Sequence, residues 1–291
     1  MYDNMPIKRG QRLSVAIPAS LVSDIPHLRE KTFRIGIVGR AAAIFRVDEV
    51  IIYPDIRADE QKRDAELIGL ILSFMETPQY LRKRLFKIRP ELKYAGILPP
   101  LRTPHHPLQS RASALNVGEY RDGVVVSTDE KGSHIDVGVE KLAYVPNVHL
   151  TPNRRVTVKI IEAGKMLIAR IVNTDEIQVY WGYKITISNF RLGQLLKERK
   201  FDLVIATSKY GDPIARVSDE LSRRWIQSRN ILLAFGSPNE GLHNIIMREG
   251  IKLEDLADFI INTIPRQATE TVRTEEALIS TLAILNYLRD H

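Results

Sequence analysis

The residues best suited to chemistry lie in the last quarter of the chain, in two loops punctuated by glycine and proline. Ala234-Phe-Gly-Ser-Pro-Asn-Glu-Gly-Leu242 leaves the apolar run Asn230 to Phe235. Ile264-Pro-Arg-Gln-Ala-Thr-Glu-Thr-Val-Arg-Thr-Glu-Glu-Ala-Leu278 leaves a second such run, Leu256 to Ile264. Short continuous apolar runs suit strands buried on both faces. Gly236 and Gly241, with no side chains, let the main chain come close to a ligand. Such loops bound a pocket, although the exits of buried strands in any α/β protein share this composition.

Three further groups stand out. Arg40 is a lone cation in the otherwise apolar Gly36-Ile-Val-Gly-Arg-Ala-Ala-Ala-Ile-Phe45. It sits either at a helix end or in a pocket where its forked donors meet a carboxylate or phosphate. Tyr80-Leu-Arg-Lys-Arg-Leu-Phe-Lys-Ile-Arg89 interleaves Arg82, Lys83, Arg84, Lys87 and Arg89 with Tyr80 and Phe86, followed by Tyr94. Cations for phosphates and rings for bases make an RNA surface; a solvated helix face accounts for the same pattern. His105 and His106 are adjacent and awkward as joint ligands of one metal, which leaves a structural or an RNA-contacting role. A Gly-x-Ser-x-Gly elbow, a Walker loop and a Gly-x-Gly-x-x-Gly turn are all missing, so hydrolase, nucleoside-triphosphatase and dinucleotide readings lack support.

The 291 residues carry a formal charge of +7, which favours a polyanionic partner, though a basic protein need not have one. The absence of cysteine excludes disulfides, thiolate metal sites and cysteine nucleophiles and fits a reducing cytoplasm. Apolar runs fall short of the roughly 18 residues that span a bilayer. Met1 to Arg9 lacks the basic-then-apolar order of a signal peptide.

The elements that must position these residues alternate. Strands are expected at Arg12 to Ile17 and Val47 to Tyr53, and helices at Leu28 to Phe45 and Asp59 to Met75. The second helix has a stripe of Leu67, Leu70, Ile71 and Phe74. Strand-helix alternation implies a parallel sheet. Prolines from Pro90 to Pro107 mark a module boundary. Short β-rich runs then follow at Gly123 to Thr128, His134 to Val139, Arg155 to Ile161 and Met166 to Val172. They suggest a small barrel of the OB type. Alternation resumes after Trp181 with helix Phe190 to Arg199, strand Phe201 to Thr207, helix Ser218 to Ser228, the two apolar runs and a final helix. Thr274 is placed to cap that helix, with Glu275 and Glu276 in its first turn. Leu278, Thr281, Leu282, Leu285 and Leu288 share a face that serves as core or as a subunit interface. The fold class is therefore α/β with a β-rich module inserted: 1–95 and 181–291 for the α/β domain, 96–180 for the barrel.

The chain resembles the knotted, SPOUT-class RNA methyltransferases, in the archaeal and eukaryotic branch with an inserted barrel assigned to uridine-N3 methylation. The segments that carry the resemblance include Val15-Ala-Ile-Pro18, Arg40 to Val50, Gln79-Tyr-Leu-Arg-Lys83, Pro104-His-His106, Tyr180-Trp-Gly-Tyr183 and Thr271-Val-Arg-Thr-Glu-Glu-Ala277. The resemblance implies a homodimer, a trefoil knot threaded by the carboxy-terminal segment, and S-adenosylmethionine held by the knot loops. It carries cofactor contacts onto Thr207 and Ser208, onto Gly236 and Gly241, and onto Asn262, Ile264, Gln267 and Thr271. It places Arg40 at the catalytic face, within one chain or across the dimer, with Arg273 and Glu275 as further candidates. The substrate implied is ribosomal or transfer RNA, contacted by the barrel and by the basic stretch, with no metal. The alternative is a non-catalytic RNA-binding or ribosome-assembly factor that keeps the knot for dimerisation.

Overall fold

The computed structural model describes residues 6–290. The first five residues, part of the amino-terminal stretch read above for a signal peptide, lie outside that range. Along the chain come β1 (Arg12–Pro18), α1 (Leu28–Ile44), β2 (Glu49–Tyr53), α2 (Ala58–Glu76) and α3 (Gln79–Leu85). Five short strands follow: β3 (Tyr120–Asp129), β4 (Gly132–Asp136), β5 (Ala143–Pro146), β6 (Arg155–Ala163) and β7 (Leu167–Ile171). The chain continues with β8 (Lys184–Ile187), α4 (Leu192–Glu198), β9 (Leu203–Pro213), α5 (Ile214–Gln227) and β10 (Asn230–Ala234). It ends with α6 (Leu242–Met247), β11 (Phe259–Asn262) and α7 (Thr274–Asp290).

The residues gather into two compact units. One holds Glu76–Pro90, Leu101–Trp181 and the described residues before Arg9; the other holds Arg9–Met75, Glu91–Pro100 and the chain from Gly182 onward. This division differs from boundaries at 95 and 180. Composition changes at Pro90, but packing is decided earlier: the Tyr80 hydroxyl donates to the Asp122 carbonyl at 2.8 Å, and Arg84 pairs with Asp136 at 2.8 Å.

The α/β unit is built on a six-stranded sheet in the order β11-β9-β10-β1-β2-β8, every pair parallel. Its central strands are apolar at nearly every position because helices cover both faces. Ala16, Ile51, Ala206 and Leu232 on one face pack with Leu192, Leu242 and Ile245 from the helices. In α2 the stripe falls about one residue from the expected one. Ala65, Ile68, Ile71, Leu72 and Met75 are buried, while Leu67, Leu70 and Phe74 are only half-buried. Leucines on both sides of the true stripe made its centre ambiguous.

The other unit contains a closed barrel in the order β3-β4-β5-β7-β6, with β3 paired to both β4 and β6. That is the Greek-key arrangement of an OB-type barrel. Val125, Ile135, Val145, Val158 and Ile160 point into its core, alternating with outward residues. Short β5, β8, α3 and α6 escaped the sequence reading, since four to seven residues carry too little periodicity to register.

Candidate active site

A cavity of about 330 Å³ opens at the carboxyl ends of β9, β10 and β11, the edge at which parallel α/β sheets bind ligands. Its walls are three loops, and the sequence explains each. The first wall comes from a jump in pairing: Ala206 lies opposite Ile260, but Asp212 lies opposite Ile261. Thr207 to Gly211 therefore bow away from β11, and Thr207, Ser208, Lys209 and Tyr210 line the cavity. The sequence reading ended this strand at Thr207, because a bulged segment of polar residues does not look like a strand.

The second wall is the 236–241 loop. Gly236 is required here: a Cβ would stand 2.9 Å from the Glu240 carbonyl oxygen and 3.3 Å from Gly241 Cα. The loop closes on itself through Ser237 N–H to the Glu240 carbonyl at 2.9 Å and Glu240 N–H to Ser237 Oγ at 3.0 Å. Glu240 is held by Arg248 at 2.8 Å. Below it, the buried Tyr53 hydroxyl donates to the Phe235 carbonyl at 2.6 Å, and burial pushes that phenol well above its usual range.

The third wall runs from Ile261 through Thr274. Asn262 makes an Asx turn, accepting from Ile264 N–H at 2.9 Å, and donates to the Lys209 carbonyl at 2.9 Å. Gln267 donates to the Thr269 and Glu270 carbonyls at 3.0 and 3.2 Å. Thr274 does not cap α7 as expected. It is the first residue of that helix, and its hydroxyl donates to the Gly236 carbonyl at 2.9 Å. The amino-terminal turn is served instead by Glu276, which accepts from Arg273 N–H at 3.0 Å.

All eight residues expected around the cofactor, Thr207, Ser208, Gly236, Gly241, Asn262, Ile264, Gln267 and Thr271, therefore line one cavity. Several of their side chains are already committed: Thr207 donates to the Ala234 carbonyl at 3.0 Å, and Asn262 and Gln267 brace the loops. Tyr53 and Thr274 were missed as site residues; the only signal for Tyr53 was its position at the end of a strand in a parallel sheet.

The two catalytic candidates do not line this cavity. Arg40 is half-buried on α1 and its Nη1 donates to the Pro100 carbonyl at 2.8 Å. Arg273 is exposed, between the cavity residues Val272 and Thr274. Glu275 is buried, with one carboxylate oxygen 3.2 Å from Arg34 Nε and the other without a partner. Burial raises its pKa, which the Arg34 charge opposes.

In the barrel unit, Lys83, Lys87 and Arg89 are exposed. Arg82 Nε donates to the Thr77 carbonyl at 2.9 Å and Arg84 is tied to Asp136. Tyr80 is spent on the Asp122 carbonyl rather than on a base. His105 is fully buried, which gives it the structural role. His105 and His106 both meet the Glu76 carbonyl, at 2.9 and 2.7 Å. A carbonyl only accepts, so both rings carry hydrogen on Nε2. Arg155 bridges the Glu76 carboxylate, at 2.6 and 3.0 Å, to Asp122 at 2.5 Å. Thr157 and Trp181 also donate to Asp122, at 2.8 and 2.9 Å. Such distant partners leave no mark in local sequence.

Among the described residues no group of three or more His, Asp or Glu is placed to hold a metal, and no helix is long and apolar enough to cross a membrane.

A parallel α/β sheet with a loop-built cavity at its carboxyl edge is a ligand-binding architecture, and the OB-type barrel in the same chain is of the class that takes oligonucleotides or oligosaccharides. Residues 12–285 match the family described as "Putative RNA methyltransferase", and the chain belongs to that family. It is 32% identical to the human 28S rRNA (uridine-N(3))-methyltransferase, over 95% of this chain and 78% of the human protein. It is also 32% identical to the Drosophila melanogaster protein of the same name, over 94% of this chain and 61% of that one. An uncharacterized protein of Halobacterium salinarum is 31% identical over 94% of this chain and 98% of its own length. The chain is thus an RNA methyltransferase and requires a methyl donor.

Proposed function

We propose that the protein methylates N3 of a uridine in ribosomal RNA with S-adenosylmethionine as donor, and that the cavity at β9, β10 and β11 holds that donor. The observation that carries the reading is the convergence of three loops, with Gly236 and Gly241 in one of them, on one cavity. The donor set fits. Asn, Thr and main-chain groups suit an adenosine and an amino-acid head, and the Glu240 carboxylate is in the wall as well as the Lys209 ammonium. When bound, S-adenosylmethionine supplies a methyl group on an electron-poor sulfonium. The protein's own task is then positioning: backbone groups of 207–208, 236–241 and 262–271 fix the donor, and the acceptor nitrogen must be aligned with its proton free to leave.

Arg40 is the residue we assign to orienting the uridine or stabilising negative charge as its N3 proton is lost, with Arg273 a second candidate. Because Arg40 does not line its own chain's cavity, we assign it to the partner's site in a homodimer. Exposed Phe33 and Ile44 on α1, Ile226 on α5 and Tyr287 on α7 support a subunit interface on these helices. A trefoil knot at the carboxy-terminal loops, RNA contact by Lys83, Lys87, Arg89 and the barrel, and a cytoplasmic location complete the reading.

Two measurements test it. Calorimetry should detect S-adenosylmethionine and its competition by the demethylated product; no heat at millimolar concentration would leave only the non-catalytic RNA-binding reading. Base-resolution comparison of ribosomal RNA from cells with and without the protein should reveal one uridine whose N3 methylation disappears, and Arg40→Ala should not restore it.

A further inference from the structure

On β4 and β5, His134 and Tyr144 stand directly opposite each other in the antiparallel ladder. Both side chains point out of the barrel, since their neighbours Ile135, Ala143 and Val145 are buried in its core. Their rings are 5.2 Å apart and tilted by 40°. Tyr144 also lies against Gly132, two residues before His134 on the same face. A Cβ on Gly132 would stand 3.0 Å from Tyr144 Cε2 and 2.3 Å from the Val145 carbonyl oxygen. The glycine thus leaves room for the edge of the half-buried tyrosine ring to come close to the sheet. His134 is held from one side by Asp129, at 3.0 Å from Nε2, so the pair is oriented before anything binds.

Cations lie alongside. The next outward residue of β4, Asp136, anchors Arg84 at 2.8 Å, which fixes the basic stretch beside this face and leaves Lys83, Lys87 and Arg89 exposed. Lys131, just before β4, is exposed as well. In an OB-type barrel β4 and β5 are the second and third strands, the face on which such barrels take oligonucleotides.

We propose that Tyr144 and His134 form a stacking platform for an unpaired base of the RNA substrate, with the backbone of the same strand running along Lys83, Lys87 and Arg89. The inference rests on the protein acting on RNA. Stacking on an aromatic face tolerates any base, so the platform grips single-stranded RNA and leaves choice of the target uridine to the methyl-transfer site. The paired rings and the cations together favour RNA over a protein segment, which would gain little from the cations without an acidic sequence.

The full-length protein and a fluorescent single-stranded oligouridine of about ten nucleotides, within the site size of one such barrel, provide the test by anisotropy. Tyr144→Leu should weaken binding roughly tenfold with an unchanged salt slope, and Tyr144→Phe should bind as the parent does. Replacing Lys83 and Lys87 by Gln should instead reduce the slope by roughly 0.7 per charge. None of these should alter affinity for S-adenosylhomocysteine, which also reports a folded protein. The platform is overturned if the parent binds the oligomer and Tyr144→Leu binds equally well, which would leave the face to a protein partner. It is also overturned if Tyr144→Phe is as weak as Tyr144→Leu. A protein that binds the oligomer in a Tyr144-dependent way but never binds S-adenosylhomocysteine would sink the proposed donor and spare the platform.

Discussion

At Gly236 the backbone of the 236–241 loop folds back so tightly that the oxygen of Glu240 occupies the space of a side chain. Gly236→Ala must therefore open the loop. The expected result is at least a tenfold loss of affinity for S-adenosylhomocysteine by calorimetry, corresponding to roughly 1.4 kcal/mol, with the melting temperature little changed. The titrating groups of the barrel unit behave differently. Burial alone would raise the Glu76 carboxyl, but the Arg155 charge and the His105 hydrogen bond bring it down to about 2 from an ordinary 4.5. Burial and the neighbouring His105 lower His106 to about 4 from 6.5. Both groups bind protons more weakly folded than unfolded, so both contribute stability that acid removes. The His106 contribution is present above pH 6.5 and is lost as pH falls to about 4. The Glu76 contribution is present above 4.5 and is lost as pH falls to about 2. Denaturation followed by the fluorescence of Trp181, with Trp225 replaced by Phe, should show both windows, and His106→Gln should flatten the upper one. A flat profile between pH 7 and 4 would contradict this.

At the scale of elements, residues 76–90 attach to the barrel through the Arg155 guanidinium, beside the bonds of Tyr80 to the Asp122 carbonyl and of Arg84 to Asp136. Arg155→Leu would strand the buried carboxylates of Glu76 and Asp122 without their cation, and removing one partner of such a network costs about 3–5 kcal/mol. Urea denaturation should register that loss; a change below 1 kcal/mol would mean water already screens the group. For α7, Thr274→Val removes the bond to the Gly236 carbonyl while keeping side-chain volume. It should cost about 1 kcal/mol and weaken donor binding more than Ser280→Ala, a change on the exposed side of the same helix. The longer elements, α1, α2, β1, β2 and β10, were legible within a residue or two, because their apolar periods repeat. The cap of α7 was not, since whether a threonine caps its own helix or reaches another loop depends on what folds beside it.

For the whole molecule, a charge of +7 and exposed cations on the barrel unit imply RNA binding governed by counterion release. Affinity should fall linearly in log–log form with salt, with a slope of roughly 0.7 per phosphate neutralised on a single strand. A slope near zero would argue against electrostatic capture. Sedimentation should find a dimer, and mixing Arg40→Ala with a donor-binding-deficient Gly236→Ala chain should restore activity if Arg40 serves the partner's site. The sequence by itself determined the class: local apolar periods specify a parallel α/β sheet and an inserted barrel, and the strings around Arg40, Trp181 and Thr271 carry the family likeness. It also located the eight residues of the cavity loops. Only the tertiary structure decided that Thr207, Asn262 and Gln267 spend their side chains on neighbouring carbonyls. It also turned His105 and Tyr80 inward, tied Glu76 to Arg155, and brought Tyr144 against Gly132. These contacts join residues far apart in the chain, and no local pattern records a partner that only folding brings near.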